Sequence, residues 1–568
     1  MNIVEIQDQL NQQGLDAYVV MHNNRFIGQD ILPEEHKLKK LCGFYGSDGL
    51  LIITAGRSFL FVDGRYELQA DQEVTNADVE IVHQVPNFLN ACRFLAERNL
   101  HHVGYDAWCI SVNQAENVRK KIKNLNLVDI GDLVGEEKPK NVQIFSREAR
   151  FSGCTAHEKI ADLAKWICQN DAQYFLLTSA DSVSWLLNIY ARDLTYTPVV
   201  RVYALVDMNG HCVLFGDHVQ TDDLPLYDFR QMENMLAKLN NVRVLYDPEV
   251  TPVKMLGMFS EQVELCQAQD LCRMRKAEKN PVEIQGMISC HIRDGVALTK
   301  LLHWLEKNYK GKTEWDVVEK LHEFRAQQKD FFSESFASIV GSAADGAVVH
   351  YQPHEDSSRL LEENNLLLID SGGQYLDGTT DVTRTIVLGQ PSADMKRDFT
   401  RVLQAHIALA RAKFPEGTAG IKLDTLAREK LWAHGLDYKH GTGHGVGCFG
   451  NVHEGPINIS LNGSGYGFRE NMVTSVEPGY YKKDFYGIRI ENLVYTSKVE
   501  DTFDDDVNFL MFRCLTKVPL DKKLIDKYLL SAEEQAWLNE YHQSVYDCLT
   551  PYLNEVEKRW LKEACSPL

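Results

Sequence analysis

LLLIDSGGQYLDGTTDVTRTIVLG, residues 366–389, is the stretch on which the fold turns. Leu366 to Ile369 read as a buried strand that delivers Asp370 at its end. Leu376-Asp377-Gly378 supplies turn chemistry, and VTRTIVLG returns as a second strand with Asp381 at its head. Two aspartates at the facing ends of a hairpin repel each other unless something positive lies between them. Aspartates that only cap a turn are the plainer alternative. A second acidic pair lies in MVTSVEPGYYKKDFYGIRIENLVYT, residues 472–496. There Glu477 ends one strand just before Pro-Gly, and Glu491 lies inside the strand YGIRIENLVYT. With a period of two, Arg489 and Glu491 share one face while Ile488 and Ile490 share the other. A glutamate inside an apolar strand needs a partner, and simple pairing with Arg489 is the plain account.

Between these pairs stands KHGTGHGVGCFGNVHEGP, residues 439–456, with three histidines and six glycines in eighteen residues. Adding His444 gives the set Asp, Asp, His, Glu, Glu. Four carboxylates bring about four negative charges, which two divalent cations would neutralise. Oxygen ligands with one imidazole suit manganese, and also cobalt, zinc or iron. In two-metal sites the ions stand ~3.5–4 Å apart and together activate a bridging water. GTGHGVG does not fit a dinucleotide loop, because Val446 occupies the third glycine position and no suitable strand and acidic partner frame it. No HExxH and no GxSxG occurs anywhere in the chain, which excludes the common zincin and nucleophile-elbow arrangements.

At 568 residues the chain is too long for one core. Its composition is ordinary globular, 44% hydrophobic and 25% charged, and its formal charge of −20 argues against nucleic acid or an acidic membrane surface as partner. No apolar run approaches the ~18 residues that span a bilayer. The N-terminal MNIVEIQDQLNQQG reads as an amphipathic helix and not as a signal peptide. Thirteen cysteines without a C-x-x-C pair fit reduced thiols in a cytoplasmic protein, and Cys448 reads as a packing residue.

Three sections follow from the pattern. Residues 1–141 alternate helical stretches with the short strands 15–20, 49–55 and 58–63. Residues 142–277 reuse that order with strands at 172–178, 199–207 and 211–217, which implies an internal duplication of one α/β domain. EEKPKNVQ, residues 136–143, reads as the linker. The third section, 278–568, opens on a helix with Asn280 as N-cap, Pro281 at the first helical position and Glu283 at the third. It contains every dense cluster of titratable groups and ends in a helical extension from about residue 510 to 568. That extension has a capping box at Ser531 and Glu534 and a break at Pro551, and shows no catalytic group. His406 lies on the apolar face of the helix that begins at Ser392 and reads as a core histidine, and His303 as core or surface. The acidic run EDTFDDD, residues 500–506, reads as a solvated loop.

DSGGQYLDGTTDVTRT, HGTGHGVG…NVHEGP, VEPGYY and GIRIEN closely resemble the metal-site signatures of the Xaa-Pro aminopeptidases (aminopeptidase P), enzymes of the pita-bread metallopeptidase fold. SESFASIVGSAADGAVVHYQP, residues 333–353, resembles the segment carrying a substrate-side histidine in that family, and the resemblance extends to GFYGSDG, FVDGRYELQA and the tail around Trp537. It implies an α/β (α+β) chain: two related creatinase-like domains followed by a pita-bread catalytic domain. It implies metal ligands at Asp370, Asp381, His444, Glu477 and Glu491, and substrate-side histidines at His350, His440 and His453. Two divalent ions are expected, manganese first, with cobalt or zinc as alternatives. The substrates implied are peptides with proline in second position, cleaved before that proline in the cytoplasm by a homodimer. In that reading Glu477 relays the proton, Asp370 helps hold the free amine, and His350 and His453 serve the oxyanion or the proline carbonyl. His440 lines the proline side, Arg489 orients Glu491, and Arg65 reaches in from the first domain.

Two rivals use the same residues: a prolidase cleaving only Xaa-Pro dipeptides, and a non-catalytic pita-bread protein that binds peptides or proteins. The family pattern changes in two places. His22-Asn23-Asn24-Arg25-Phe26 replaces D-x-H-x-SEY, and Asn471 stands for the glycine of L-x-x-G-M, where asparagine tolerates positive φ.

Overall fold

The structure is a computed structural model that describes residues 1–28, 30–135, 140–221, 223–500 and 507–568. Most of the acidic run 500–506 and residues 136–139 of the linker lie outside the described residues. The chain forms two compact units, one of residues 1–149, 154–194 and 198–272, the other of 150–153, 195–197 and 273–568.

The first unit contains two six-stranded sheets. One is built from β1 (Ala17–Met21), β2 (Leu50–Thr54), β3 (Ser58–Val62), β4 (Val79–His83), β5 (His102–Tyr105) and β6 (Asn126–Asp129). The other comprises β7 (Tyr174–Leu177), β8 (Tyr203–Asp207), β9 (Cys212–Phe215), β10 (Leu226–Tyr227), β11 (Arg243–Tyr246) and β12 (Glu264–Gln267). Their orders are β4-β3-β2-β1-β5-β6 and β10-β9-β8-β7-β11-β12, so each strand of the first has its counterpart six places later. The directions agree as well. β1–β2 and β2–β3 are antiparallel, like β7–β8 and β8–β9, and all remaining pairs are parallel. The duplication legible in the sequence is therefore one of topology.

The strand expected over 199–207 begins only at Tyr203, because Val199 makes an isolated bridge to Tyr190 instead. The altered segment His22–Phe26 is tied down inside this unit. Asn24 donates to Glu35 at 2.8 Å, Arg201 bridges Glu35 and Asp193 at 2.7 Å each, and the Tyr203 hydroxyl donates to the Arg25 carbonyl.

The second unit opens with α1 (Pro281–Asn308), whose Asn280 cap and Glu283 return bond are both present, and α2 (Glu314–Ala326). A three-stranded sheet follows, β13 (Ile339–Ser342), β14 (Asn365–Ser371) and β15 (Val382–Leu388), in the order β13-β14-β15. Two helices, α3 (Ala393–Ala410) and α4 (Gly420–Trp432), pack beside β16 (Val473–Val476), β17 (Gly479–Lys482), β18 (Tyr486–Arg489), β19 (Asn492–Lys498) and β20 (Phe509–Cys514). The extension supplies α5 (Ala532–Leu549) and α6 (Glu555–Ala564), separated by a short turn at Thr550–Tyr552 where Pro551 cannot continue the helix. One apolar cluster joins Phe399, Val402 and Leu403 of α3 to Val476, Ile488, Ile490, Leu538 and Val545. The extension is thus part of the core of this unit.

One strand reads differently from expectation. YGIRIENLVYT is not continuous: β18 pairs with β17, whereas β19 pairs with β16 and β20, and Ile490-Glu491 forms the junction. The apolar alternation runs through the junction, so only the partner strands reveal the switch. Among the described residues none of the thirteen cysteines forms a disulfide.

Asn471 has φ of 62°, the left-handed conformation that its glycine-replacing position required. Asn471→Ala is expected to destabilise by about 1 kcal/mol, lowering the calorimetric midpoint, while Asn471→Gly leaves it near that of the wild type. An alanine variant as stable as the parent would contradict the turn's role.

Candidate metal centre

Strand register builds the site. Asp370 on β14 pairs with Thr383 on β15, so Asp370, Thr383 and, two residues earlier, Asp381 face the same side. Glu477 follows the end of β16 directly, and Glu491 occupies the junction between β18 and β19. His444 comes from the short strand Gly443–His444, and the glycines beside it now have a reason. A Cβ on Gly443 would lie 2.1 Å from the Ser475 carbonyl, and one on Gly445 2.1 Å from that of Glu454. Bare backbone lets the imidazole approach the carboxylates between two neighbouring chains.

His444 Nδ1 lies 3.0 Å from the Gly445 carbonyl, which can only accept, so that nitrogen carries the proton. Nε2 lies 3.4 Å from both Asp381 Oδ2 and Glu477 Oε1. Asp381, His444 and Glu491 together offer three ligand atoms within 4.8 Å of one another. Glu491 accepts from the Thr383 hydroxyl at 2.7 Å, and Glu477 accepts from Ser475 at 3.1 Å.

Arg489 corrects an expectation: it does not pair with Glu491. Its Nη2 donates to Asp370 Oδ2 at 2.6 Å and its Nη1 to the Tyr481 hydroxyl at 2.6 Å. The strand switch at 490–491 turns Glu491 away, and Arg489 reaches it only through Thr383, to which Nε donates at 3.2 Å. Tyr481 continues the chain to His440 Nε2 at 2.8 Å, while His440 Nδ1 donates to the Gly441 carbonyl at 2.7 Å. Tyr481 and Thr383 escaped the sequence reading; the second tyrosine of VEPGYY was the available signal for Tyr481.

The other sequence-predicted residues are spread around this core. His453 is exposed, its ring 4.3 Å from that of His444 and nearly perpendicular to it. His350 sits on a loop whose neighbours are fixed, since the Val349 carbonyl accepts from Arg489 at 3.4 Å and Tyr351 donates to buried Glu314 at 2.8 Å. Burial pushes the Glu314 carboxyl up to about 7. Arg65 belongs to the other unit, where Asp63 at 2.6 Å and Asp48 at 2.7 Å hold its guanidinium. His406 is fully buried, as a core histidine should be.

Comparison with known proteins decides the family. The profile of metallopeptidase family M24 matches residues 285–498, and that of the C-terminal region of peptidase M24 matches 508–568. The creatinase/prolidase N-terminal domain matches twice, at 3–136 and 136–283. A probable Xaa-Pro aminopeptidase P of Laccaria bicolor is 34% identical over 605 residues, covering 100% of this chain and 93% of its own. Aminopeptidase P2 of Arabidopsis thaliana is 33% identical, with 98% and 86% covered. The crystal structure of X-prolyl aminopeptidase from Caenorhabditis elegans, described as a cytosolic enzyme with a di-nuclear active site, superposes with a TM-score of 0.91 at 32% identity, covering 98% of this chain and 95% of that one.

The chain belongs to metallopeptidase family M24. A prolidase of Thermococcus sibiricus shares the fold at 20% identity and a TM-score of 0.50, and it covers 65% of this chain.

The charges of this M24 site explain what it lacks by itself. Burial, with Asp370 and Glu477 close by, holds the Asp381 carboxyl far above the usual range. Burial, with Asp381, Glu477 and Asp370 adding to it, does the same to Glu491. Glu477 is raised by burial, against the pull of His444 and Arg489. Asp370 Oδ1 is buried with no hydrogen-bond partner among the described residues. A crowd of carboxylate oxygens, one of them buried and orphaned, and an imidazole nitrogen beside two of them fit hard or borderline divalent cations.

Without metal, the folded chain retains protons that the unfolded chain releases above the ordinary carboxylate range of ~4. Stability of the metal-free protein therefore falls as pH rises from that range toward the raised values. Manganese is expected to raise the melting temperature more at about pH 8 than at about pH 5, because binding must displace those protons. Equal stabilisation at both values, or none, would contradict this charge balance.

Proposed function

We propose that the protein is a metal-dependent Xaa-Pro aminopeptidase that releases the first residue from peptides with proline in second position. The observation that carries this reading is coverage. Likeness to an X-prolyl aminopeptidase runs over both units at 32% identity, whereas the Thermococcus sibiricus prolidase matches 65% of the chain at 20% identity. Retention of all five candidate ligand positions argues against a binding protein of the same fold.

Asp370, Asp381, His444, Glu477 and Glu491 would hold two divalent ions, manganese before cobalt or zinc. When bound, these ions supply Lewis-acid chemistry and lower the pKa of water to near neutrality. The protein's own groups do the remaining work. The Glu477 carboxylate takes the proton of the attacking water as the new C–O bond forms. It then hands that proton to the proline nitrogen as the C–N bond breaks.

Asp370, held by Arg489, meets the substrate's free amine and restricts cleavage to the first residue. His350 and His453 donate to the developing oxyanion or the proline carbonyl, and His440 with Tyr481 borders the proline side. Proline suits such a site because its nitrogen has no N–H to satisfy. Assignment to the cytoplasm and to a homodimer is part of the same proposal, and light scattering on the purified protein checks the second. Among the described residues no helix is long and apolar enough to cross a membrane.

The test is an assay of chelated, manganese-reloaded protein on the tripeptide Arg-Pro-Pro and the dipeptide Gly-Pro. Release of arginine from the tripeptide is expected, reduced at least about a hundredfold in Glu477→Ala. Hydrolysis of the dipeptide alone would establish a prolidase, and no hydrolysis of either by metal-loaded protein would favour a binding role.

A further inference from the structure

The C-terminal extension carries no catalytic group, yet it closes a buried polar chain behind the metal centre. Arg384 lies three residues after Asp381 on β15, and its side chain points to the face opposite Thr383. It is 1% exposed, and among the described residues no carboxylate pairs with it. Its guanidinium instead donates to a cage of neutral oxygens. Nη1 reaches the carbonyls of Thr383 at 2.8 Å and Glu491 at 2.6 Å. Nη2 reaches Asn492 Oδ1 at 2.8 Å, the Val518 carbonyl at 2.9 Å and the Tyr541 hydroxyl at 2.7 Å. Nε donates to the Pro519 carbonyl at 3.3 Å.

The chain continues beyond Arg384. Asn492 Nδ2 lies 3.1 Å from His406 Nε2, and His406 Nδ1 lies 3.0 Å from the carbonyl of Val476, the residue before Glu477. That carbonyl only accepts, so Nδ1 carries the proton and Nε2 accepts from the asparagine. Burial holds the ring neutral, its pKa pushed down to about 3. Trp537 packs edge-on against His406 and stacks on Tyr541 at 5.5 Å. The Tyr541 hydroxyl in turn donates to the Val518 carbonyl at 2.6 Å.

Three strand ends that carry candidate ligands are thereby joined to one another: β15 beside Asp381, the junction holding Glu491, and the end of β16 before Glu477. Each is a place where regular pairing stops and the backbone needs another anchor. A guanidinium with every N–H satisfied by carbonyls and a hydroxyl is rigid.

We propose that Tyr541, Arg384, Asn492 and His406 form a positioning frame that holds Glu477 and Glu491 in metal-binding geometry, and that the C-terminal extension exists in part to close it. This rests on the proposed function, since it assigns the frame to the same metal centre.

The test compares manganese titrations of folded protein with melting of the chelated protein, for Tyr541→Phe, Arg384→Lys and Leu549→Ala. Tyr541→Phe removes one hydroxyl from the cage, and Arg384→Lys keeps the charge but loses the fork. Leu549→Ala opens a cavity in the same helix, at a fully buried residue outside the frame. Outer groups that orient metal ligands typically change affinity about 10–100-fold. Tyr541→Phe and Arg384→Lys are therefore expected to weaken manganese at least about tenfold, whereas Leu549→Ala lowers the melting temperature without weakening manganese. If Arg384→Lys does not fold, Tyr541→Phe decides alone. Frame variants that melt lower but bind manganese like the parent would overturn the proposal and leave a purely structural network. A parent protein that binds no manganese would instead overturn the function on which it rests.

Discussion

Repulsion among buried carboxylates is the constraint around which the second unit is organised. Two like charges ~4 Å apart cost about 4 kcal/mol at an effective dielectric of ~20. Asp381 and Glu491 bring ligand oxygens within 4.8 Å of each other, Asp370 and Glu477 add to the same field, and Arg489 is the one guanidinium bonded to the group among the described residues. A single positive charge does not balance four negative ones. Burial and the neighbouring carboxylates raise the proton affinity of Asp381, Glu477 and Glu491, and divalent cations would relieve that repulsion.

Such a cluster forms only if the backbone resists its own electrostatics. Register on β14 and β15 places the two aspartates on one face, and the strand switch after β18 turns Glu491 inward. Bare glycines bring His444 up between them. From Asp370 a chain of hydrogen bonds through Arg489 and Tyr481 reaches His440, so these side chains share one rigid support. Behind β15 the Arg384 cage links the same strands to the extension. The acidic site is thus clamped from two sides, by one arginine that faces it and another that does not.

Much of this was legible because local chemistry and global fold agree at the positions concerned. Asn280 and Ser531 cap their helices as the spacing of their partners indicated, and Asn471 takes the left-handed turn left by a missing glycine. The repeated strand order of the first unit surfaced as similar apolar runs. What escaped was decided by tertiary partners. The break at Ile490-Glu491 is invisible in an alternation that continues across it. Arg489 lies two residues from Glu491 yet bonds Asp370, distant in sequence, because β18 and β14 meet only in the folded unit. Tyr481, Thr383 and Arg384 went unread for the same reason, their significance lying wholly in what they touch. His406 was rightly placed in the core, but its bonds to Val476 and Asn492 give that burial a second purpose.

In the proposed function these four carboxylates and His444 form one dinuclear metal site. Anomalous diffraction at the manganese edge, from crystals of chelated protein soaked in manganese, tests it most directly. Two peaks are expected among Asp370, Asp381, His444, Glu477 and Glu491, about 3.5–4 Å apart. A single peak, or peaks elsewhere with these side chains unliganded, would contradict it.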